Sequence, residues 1–509
     1  MNIENIVIVG GGSSGWMTAA VIAYKCPEIN LTLIESPTIP NIGVGESTLG
    51  HINVFFRMLD MKDKEWMPSC NATYKNSIQF TDFYKKNTRF QYPFGDYHYI
   101  SAKDHNEVED YAIKSIHEWF ILQALFPDEI DFKDFSRYWN FNSILAEHNR
   151  QTDLNVEGHD FIKHVAYHLD ADALGVYLKK RFCKNVTHIV EDVNEINCDE
   201  EGITKIISNN HKLTADLFID CTGFKSMLLE NTLGVEFEEF PYLINDSAVN
   251  ARIPYENDDK TLITNVTDCK ALSSGWLWNI PLWHRKGQGY VYSSNFLSED
   301  EAEKEFRQET NWNGDVNHLT FRHGVHKKAW YKNVLAIGLS YGFIEPLEST
   351  GLLTVHENIV KLITILKKHN NYVNNIDKQM FNKSADKQIL ALSSFVSIHY
   401  ALSRRTDSKY WKYVTENITY GEKDIDDLSK ILSFNNFDHS NKGMTFILAG
   451  MKINPVNKDL LFITYEKQKK LLSIKKDIML RHITRRKQLL DDFNLLTSYQ
   501  YLKTHIYDE

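Results

Sequence analysis

Three glycines at fixed spacing constrain this chain more than any other feature. Ile6-Val7-Ile8-Val9 is an apolar run of strand type, and Gly10-Gly11-Gly12-Ser13-Ser14-Gly15 follows at once. Residues 16–24 read as a helix, and 31–35 as a second strand that ends in Glu35. Strand, glycine turn, helix and strand predict a β-α-β unit. Within it Gly10 allows the tight turn, Gly12 lets backbone approach a pyrophosphate, and Gly15 lets the helix pack on the sheet. Ser13 and Ser14 open the helix, whose first N–H groups are free for phosphate. Glu35 stands about twenty residues past Gly15, where it can accept hydrogen bonds from ribose hydroxyls. A lone GxGxxG is a weak sign. With a strand before it, a helix after it and the acid in place, it predicts a dinucleotide site rather than a bare turn.

The 509 residues exceed one small core, yet large α/β enzymes often run as one integrated body. Residues 173–182 read as helix, and 187–196, 202–207, 215–220 and 334–337 as strands. The stretch 275–296 alternates as paired strands, and 351–367 reads as helix. Strands scattered through the first 340 residues make the cofactor module discontinuous, built from 1–50 and 160–370. Residues 51–159 and 371–509 read as a largely helical substrate-binding region. The expected class is therefore α/β, a GxGxxG cofactor module with an integrated helical region.

A net charge of −10 provides no basic field for nucleic acid. The basic run 467–487 has apolar residues at helical spacing and reads as a solvated helix face. No run of about 18 apolar residues predicts a membrane span. No charged and apolar leader precedes the first strand, so no secretory signal is expected. Six cysteines without a CxxC pair predict reduced thiols in a cytoplasm, not a disulfide or zinc framework.

FAD is favoured over NAD by residues 215–220, a strand that runs into Cys221-Thr222-Gly223. This resembles the second FAD-contacting segment of glutathione-reductase-type and aromatic-hydroxylase-type flavoproteins, and assigns Asp220 to the cofactor. Hydroxylases of that fold carry a Gly-Asp pair after a late strand. Here the position reads Gly338-Leu339, so Gly338 is kept as a cofactor residue and the acid is missing.

The chain continues as Gly342-Phe343-Ile344-Glu345-Pro346-Leu347-Glu348-Ser349-Thr350-Gly351. With Ile42-Gly43-Val44-Gly45-Glu46-Ser47-Thr48 in the loop 41–50, Tyr74-Lys75, Tyr167-His168-Leu169-Asp170 and Trp276-Leu277-Trp278-Asn279-Ile280-Pro281, this resembles the flavin-dependent halogenases, the family typified by tryptophan halogenases. The likeness covers most of residues 1–370. It implies an enzyme that receives FADH2 from a separate NAD(P)H-dependent flavin reductase. Such an enzyme turns halide and O2 into hypohalous acid, and halogenates an electron-rich aromatic ring. Homo-oligomers are common in that family.

The resemblance also implies roles. Lys75 matches the lysine that holds the oxidant beside substrate, and burial would lower its pKa. Glu348 matches the glutamate that positions the oxidant and removes the ring proton. Ser349, Thr350 and Gly351 open a helix whose N–H groups can hold chloride, bromide or iodide without a metal. Trp276 and Trp278 match the bulky pair between flavin and substrate. Gly45, Glu46, Ser47 and Thr48 match the strap over the flavin ring. Tryptophan halogenases hold the amino acid with paired tyrosines near a stretch that matches 443–451 here, where Met444 and Thr445 stand instead. With Tyr92 and Phe94, Met444 predicts an apolar slot for an indole or phenol less polar than free tryptophan.

Two other functions compete. Gly338-Leu339-Ser340-Tyr341-Gly342 satisfies GxSxG, the serine-hydrolase elbow, but Phe343-Ile344-Glu345-Pro346 stands where a helix should follow. A flavin-dependent aromatic monooxygenase would share fold and cofactor; Lys75 and the tryptophan pair argue against it. His164 and His168, four apart, read as structural, and no metal is expected.

Overall fold

The computed structural model describes all residues except 40–44, 98–111, 114, 419–441, 457 and 509. The Ile42-Gly43-Val44 part of the strap motif lies outside the described residues.

The opening β-α-β unit forms as expected. Asn5–Val9 pairs in parallel with Asn30–Glu35 on one side and with Leu217–Asp220 on the other. These strands belong to a six-stranded sheet that also takes in Thr187–Val190 and Val334–Ala336, all parallel, with Trp330–Tyr331 antiparallel at one edge. Such a sheet must be covered on both faces, which is why its strands are continuous apolar runs. The helix Ser13–Lys25 packs against Ala171–Phe182 and Gly351–Lys368, and eight of its residues from Gly15 to Ile22 are buried. Register sets Val9, Asp220 and Ala336 side by side at one edge of this sheet. Ligands of open α/β sheets bind at that carboxyl edge.

A second sheet has seven strands in the order 317–320, 247–254, 285–292, 275–281, 266–271, 77–81 and 89–93. Its neighbours are antiparallel except Val266–Ala271 beside Ser77–Thr81. Two of these strands come from 51–159, the region expected to be largely helical. The apolar alternation in Ser77–Thr81 was hidden among the aromatic residues that crowd that segment. The single strand expected over 187–196 is two, Thr187–Val190 and Val193–Asp199, which enter different sheets.

The described residues beyond 371 are mostly helical, as expected. Asn375–Ala401 begins with a capping box on Asn374 and Asp377. Its far end carries His399 and Tyr400 into the core. The long helix Lys458–Asp492 corrects one expectation: its basic residues are not simply a solvated face. Lys475, Lys476 and Arg486 are buried. Lys475 pairs with Glu118 and Lys476 with Glu129; Arg486 reaches Glu157 and the carbonyls of Arg137 and Tyr138. The carboxylates come from 51–159, and a charge can be buried only with such a partner.

All six cysteines are free thiols. Among the described residues no helix is long and apolar enough to cross a membrane.

Candidate active site

The glycine turn is built as its spacing requires. Gly10 has φ +109°, and a Cβ there would lie 2.2 Å from the carbonyl oxygen of Cys221. A Cβ on Gly15 would lie 1.9 Å from the Gly10 carbonyl. Only glycine allows this closeness.

A cavity of about 740 Å³ opens beside the turn. At one end it is lined by residues 10–14 and Glu35; at the other by Glu46, Ser47, Trp276, Trp278 and 349–351. Gly45, Thr222, Gly223 and Gly338 line it as well. Gly338 has φ +79°, and a Cβ there would meet the Ser14 hydroxyl at 2.2 Å. The space suits an elongated ligand with an anionic middle: glycine backbone and a helix N-terminus at the turn, an acid for sugar hydroxyls, and aromatic walls beyond. These residues fit FAD. Glu35 also meets His188 Nε2 at 2.6 Å, a partner the sequence did not suggest.

Asp220, expected at the cofactor, is placed differently from the glycines. It is fully buried and lies outside the cavity lining. One carboxylate oxygen accepts from Thr222 N and Oγ1, the other from Leu228 N and Leu229 N. These bonds anchor the helical turn Met227–Thr232.

Lys75 lies behind the cavity wall. A three-stranded sheet aligns Glu46–Ser47, Ala166–Leu169 and Thr73–Lys75, so that Ser47 and Thr73 both face His168 in register. Lys75 is fully buried at the end of its strand. Its Nζ donates to Ser349 Oγ at 2.7 Å and to Thr48 O at 3.0 Å, and lies 4.8 Å from the Phe94 ring centre. Burial pushes its pKa down to about 7, against the opposing pull of Cys269 and Glu348. Ser349 lines the cavity while bonding Lys75, so one side chain links the cavity wall to the buried lysine.

Glu348 ends the short turn Pro346–Glu348, before Ser349 at φ +57°. Burial raises its pKa, and His399 and Lys75 offset part of the rise. His399 Nε2 lies 2.7 Å from Glu348 Oε1, off the line of a hydrogen bond. Both side chains are fully buried, and nothing in the sequence pattern paired them. Glu46, half-buried on the cavity lining, has its pKa raised to about 7 by desolvation and then by Asp172.

The helix Gly351–Lys368 starts beside this cluster, and its first N–H groups lack intrahelical acceptors. The Ser349 N–H, however, already donates to Pro346 O at 2.9 Å. Of the three residues expected to hold halide, Thr350 and Gly351 retain the better-placed backbone donors.

Trp276 and Trp278 project from one face of Gly275–Pro281 into the cavity. Glu345, which sequence reading left without a role, fixes the first ring. Its Oε2 accepts from Trp276 Nε1 at 2.7 Å, Asn245 Nδ2 at 2.8 Å and Tyr400 OH at 2.9 Å. On the far side of Lys75, Tyr92 packs edge-on against Phe94 and Phe395. Gly443 sits so near Tyr92 that a Cβ would lie 2.7 Å from its hydroxyl. Met444 is buried in the same core, and Thr445 hydrogen-bonds Tyr97.

The hydrolase reading loses its residue. Ser340 is fully buried and donates its hydroxyl to backbone carbonyls of Asp220 and Ile337, so it is no nucleophile. Both ring nitrogens of His168 meet threonine hydroxyls, and among the described residues no group of three or more His, Cys, Asp and Glu could hold a metal.

Residues 5–462 match the tryptophan halogenase family model. The chain belongs to the tryptophan halogenase family. This halogenase is 33% identical over 432 residues to the tryptophan 6-halogenase SttH of Streptomyces toxytricini, covering 81% of this chain and 80% of that one. It is 31% identical to the tryptophan 7-halogenase RebH of Lentzea aerocolonigenes, covering 81% and 78%. Among solved structures, the apo structure of VirX1 superposes with a TM-score of 0.90 at 40% identity over the whole of both chains. The halogenase is thus a flavin-dependent enzyme, as the resemblance implied.

Proposed function

We propose that this halogenase works with a separate NAD(P)H-dependent flavin reductase and halogenates an electron-rich indole- or phenol-like ring other than free tryptophan. The observation that carries the reading is the position of Ser349. It faces the cofactor cavity and accepts from Lys75 Nζ at 2.7 Å, so oxidant made in the cavity has the lysine directly behind this side chain.

FADH2 held in this cavity would supply, with O2, the two-electron oxidation that turns halide into hypohalous acid. Thr350 and Gly351 N–H groups hold the halide at the helix N-terminus. Lys75 then holds the hypohalous acid. As an ammonium it has a third N–H left after Ser349 and Thr48, and that N–H polarises the oxidant. The ring carbon takes the halogen, Glu348 takes the ring proton, and the oxygen leaves as water with a proton from Lys75. Return of the proton from Glu348 to Lys75 closes the cycle. Trp276 and Trp278 fill the wall beside the cofactor, which keeps substrate from direct oxygen transfer.

The substrate reading rests on Tyr92, Phe94 and Met444. They offer apolar surface, and Thr445 is engaged with Tyr97. A zwitterion's charges would go uncompensated there. The test is product mass from reactions with each halide and with tryptophan, indole and simple phenols. Gain of halogen on indole or phenol, with little on tryptophan, is expected. Gain of one oxygen would establish a monooxygenase, and efficient regioselective halogenation of tryptophan would refute the substrate class. In Lys75→Ala, oxygen consumption should persist while halogenated product disappears.

A further inference from the structure

A continuous chain of hydrogen bonds runs from Lys75 into the protein interior. Ser349 Oγ lies 3.0 Å from Ser47 Oγ, which lies 2.6 Å from Thr267 Oγ1. Thr267 Oγ1 meets His168 Nε2 at 2.9 Å. The other ring nitrogen, Nδ1, meets Thr73 Oγ1 at 3.1 Å, and Thr73 Oγ1 donates to the carbonyl of Pro281 at 2.6 Å. Every one of these side chains is buried.

The proton positions follow by elimination, because each hydroxyl has one hydrogen to give. The Pro281 carbonyl can only accept, so Thr73 spends its hydrogen there. Thr73 Oγ1 must then accept from His168, which fixes a proton on Nδ1. Burial, and then the nearby Lys75 charge, push the His168 pKa well below its ordinary value, so the ring carries no second proton. Nε2 is therefore an acceptor and takes the Thr267 hydrogen. Thr267 in turn accepts from Ser47, Ser47 from Ser349, and Ser349 from Lys75. The whole chain points one way, away from the lysine.

We propose that His168 is a positioning residue for the halogenation step, acting through this one-way chain to keep Lys75 Nζ open to the oxidant. The proposal rests on the catalytic role of Lys75 argued above. Its consequence is specific. With Ser349 and Thr48 both accepting, an ammonium has one N–H left for the oxidant, and a neutral amine has its lone pair left. If the chain ran the other way, Ser349 would donate to that lone pair and mask the nitrogen. The tautomer of a histidine four hydrogen bonds away thus decides what the lysine presents. It also means that the Ser349 and Ser47 hydroxyls, which line the cofactor cavity, meet a ligand there as acceptors rather than donors.

Neutron diffraction from deuterium-exchanged crystals of the full chain reads the protons directly. Deuterium on His168 Nδ1, none on Nε2, and a Ser349 deuteroxyl aimed at Ser47 are expected. Deuterium on Nε2, or a Ser349 deuteroxyl aimed at Lys75, overturns the proposal whether or not the halogenase reading stands. The functional arm uses Thr73, which touches neither Lys75 nor the cavity. Thr73→Val frees the tautomer, and loss of one ordering hydrogen bond should lower kcat of halogenation about tenfold. KM for substrate and flavin affinity by fluorescence quenching should hold, and Thr73→Ser should restore the rate. A folded Thr73→Val with wild-type kcat overturns the positioning role. Should that variant fail to fold, the neutron map of the wild type decides alone. A wild type that makes no halogenated product overturns the function, and with it the positioning role, even where the neutron map shows the one-way chain.

Discussion

Replacing Lys75 with methionine should make the protein more stable at pH 6 and less stable at pH 10. A free lysine titrates near 10.5, and burial brings Lys75 to about 7. Below pH 7 both folded and unfolded chains hold the proton, and the fold carries the full cost of a buried ammonium. Each pH unit of the gap is worth about 1.4 kcal/mol, so that cost is about 5 kcal/mol. Between pH 7 and 10.5 the folded state has released the proton while the unfolded state still binds it. Stability therefore rises with pH through that window, and by pH 10 under about 1 kcal/mol of the cost remains. Methionine fills the same space without the charge. It gives up the hydrogen bonds to Thr48 O and Ser349 Oγ, together about 2–3 kcal/mol. The balance favours the variant by about 2–3 kcal/mol at pH 6 and the wild type by about 1–2 kcal/mol at pH 10. Thermal midpoints of the two proteins across that pH range measure the difference, with other titrating groups cancelling between them. The variant should also lose halogenated product. A difference that stays flat with pH, or a variant destabilised at pH 6, would show that Lys75 keeps an ordinary pKa and that burial does not tune it.

Two further outcomes are expected. Glu348→Gln keeps size but cannot take the ring proton, and should slow product formation about 10²–10⁴-fold in single-turnover assays with added hypohalous acid; a rate near wild type would leave Glu348 as a structural partner of His399 only. Asp220→Ala strands four donors around Thr222, Leu228 and Leu229, and should lower stability by about 2–4 kcal/mol in denaturant unfolding while the flavin it was expected to touch still binds; a stable variant that has lost flavin would restore Asp220 to the cofactor site.

The cofactor end of the site was legible because its information is local. Gly10, Gly12, Gly15 and Glu35 fall within one β-α-β unit, so strand period, helix period and turn chemistry fix their relative places without reference to the rest of the chain. The same holds for Trp276 and Trp278, two apart on a strand and hence on one face. Motif likeness carried Lys75 and Glu348, since neither residue type at its position means anything by spacing alone. Asp220 shows the complementary case. Its strand ends at the right edge of the sheet, but the side chain turns to backbone N–H groups eight and nine residues on, a choice that propensity does not encode.

The sequence by itself determined a dinucleotide-binding α/β enzyme, its family and the segments that line the cofactor cavity. Only the tertiary structure decided what those segments do to one another. Lys75 meets Ser349 across 274 positions, Ser47 meets Thr267 across 220, and Thr267 meets His168 across 99. His399 arrives at Glu348 from the end of a separate helix, and Arg486 is buried because Glu157 meets it across 329 positions of the chain. Periodicity constrains neighbours within a few residues. A buried charge or hydroxyl is instead defined by whichever distant partner satisfies it, and that partner is set by sheet register and helix packing, which exist only once the chain has folded.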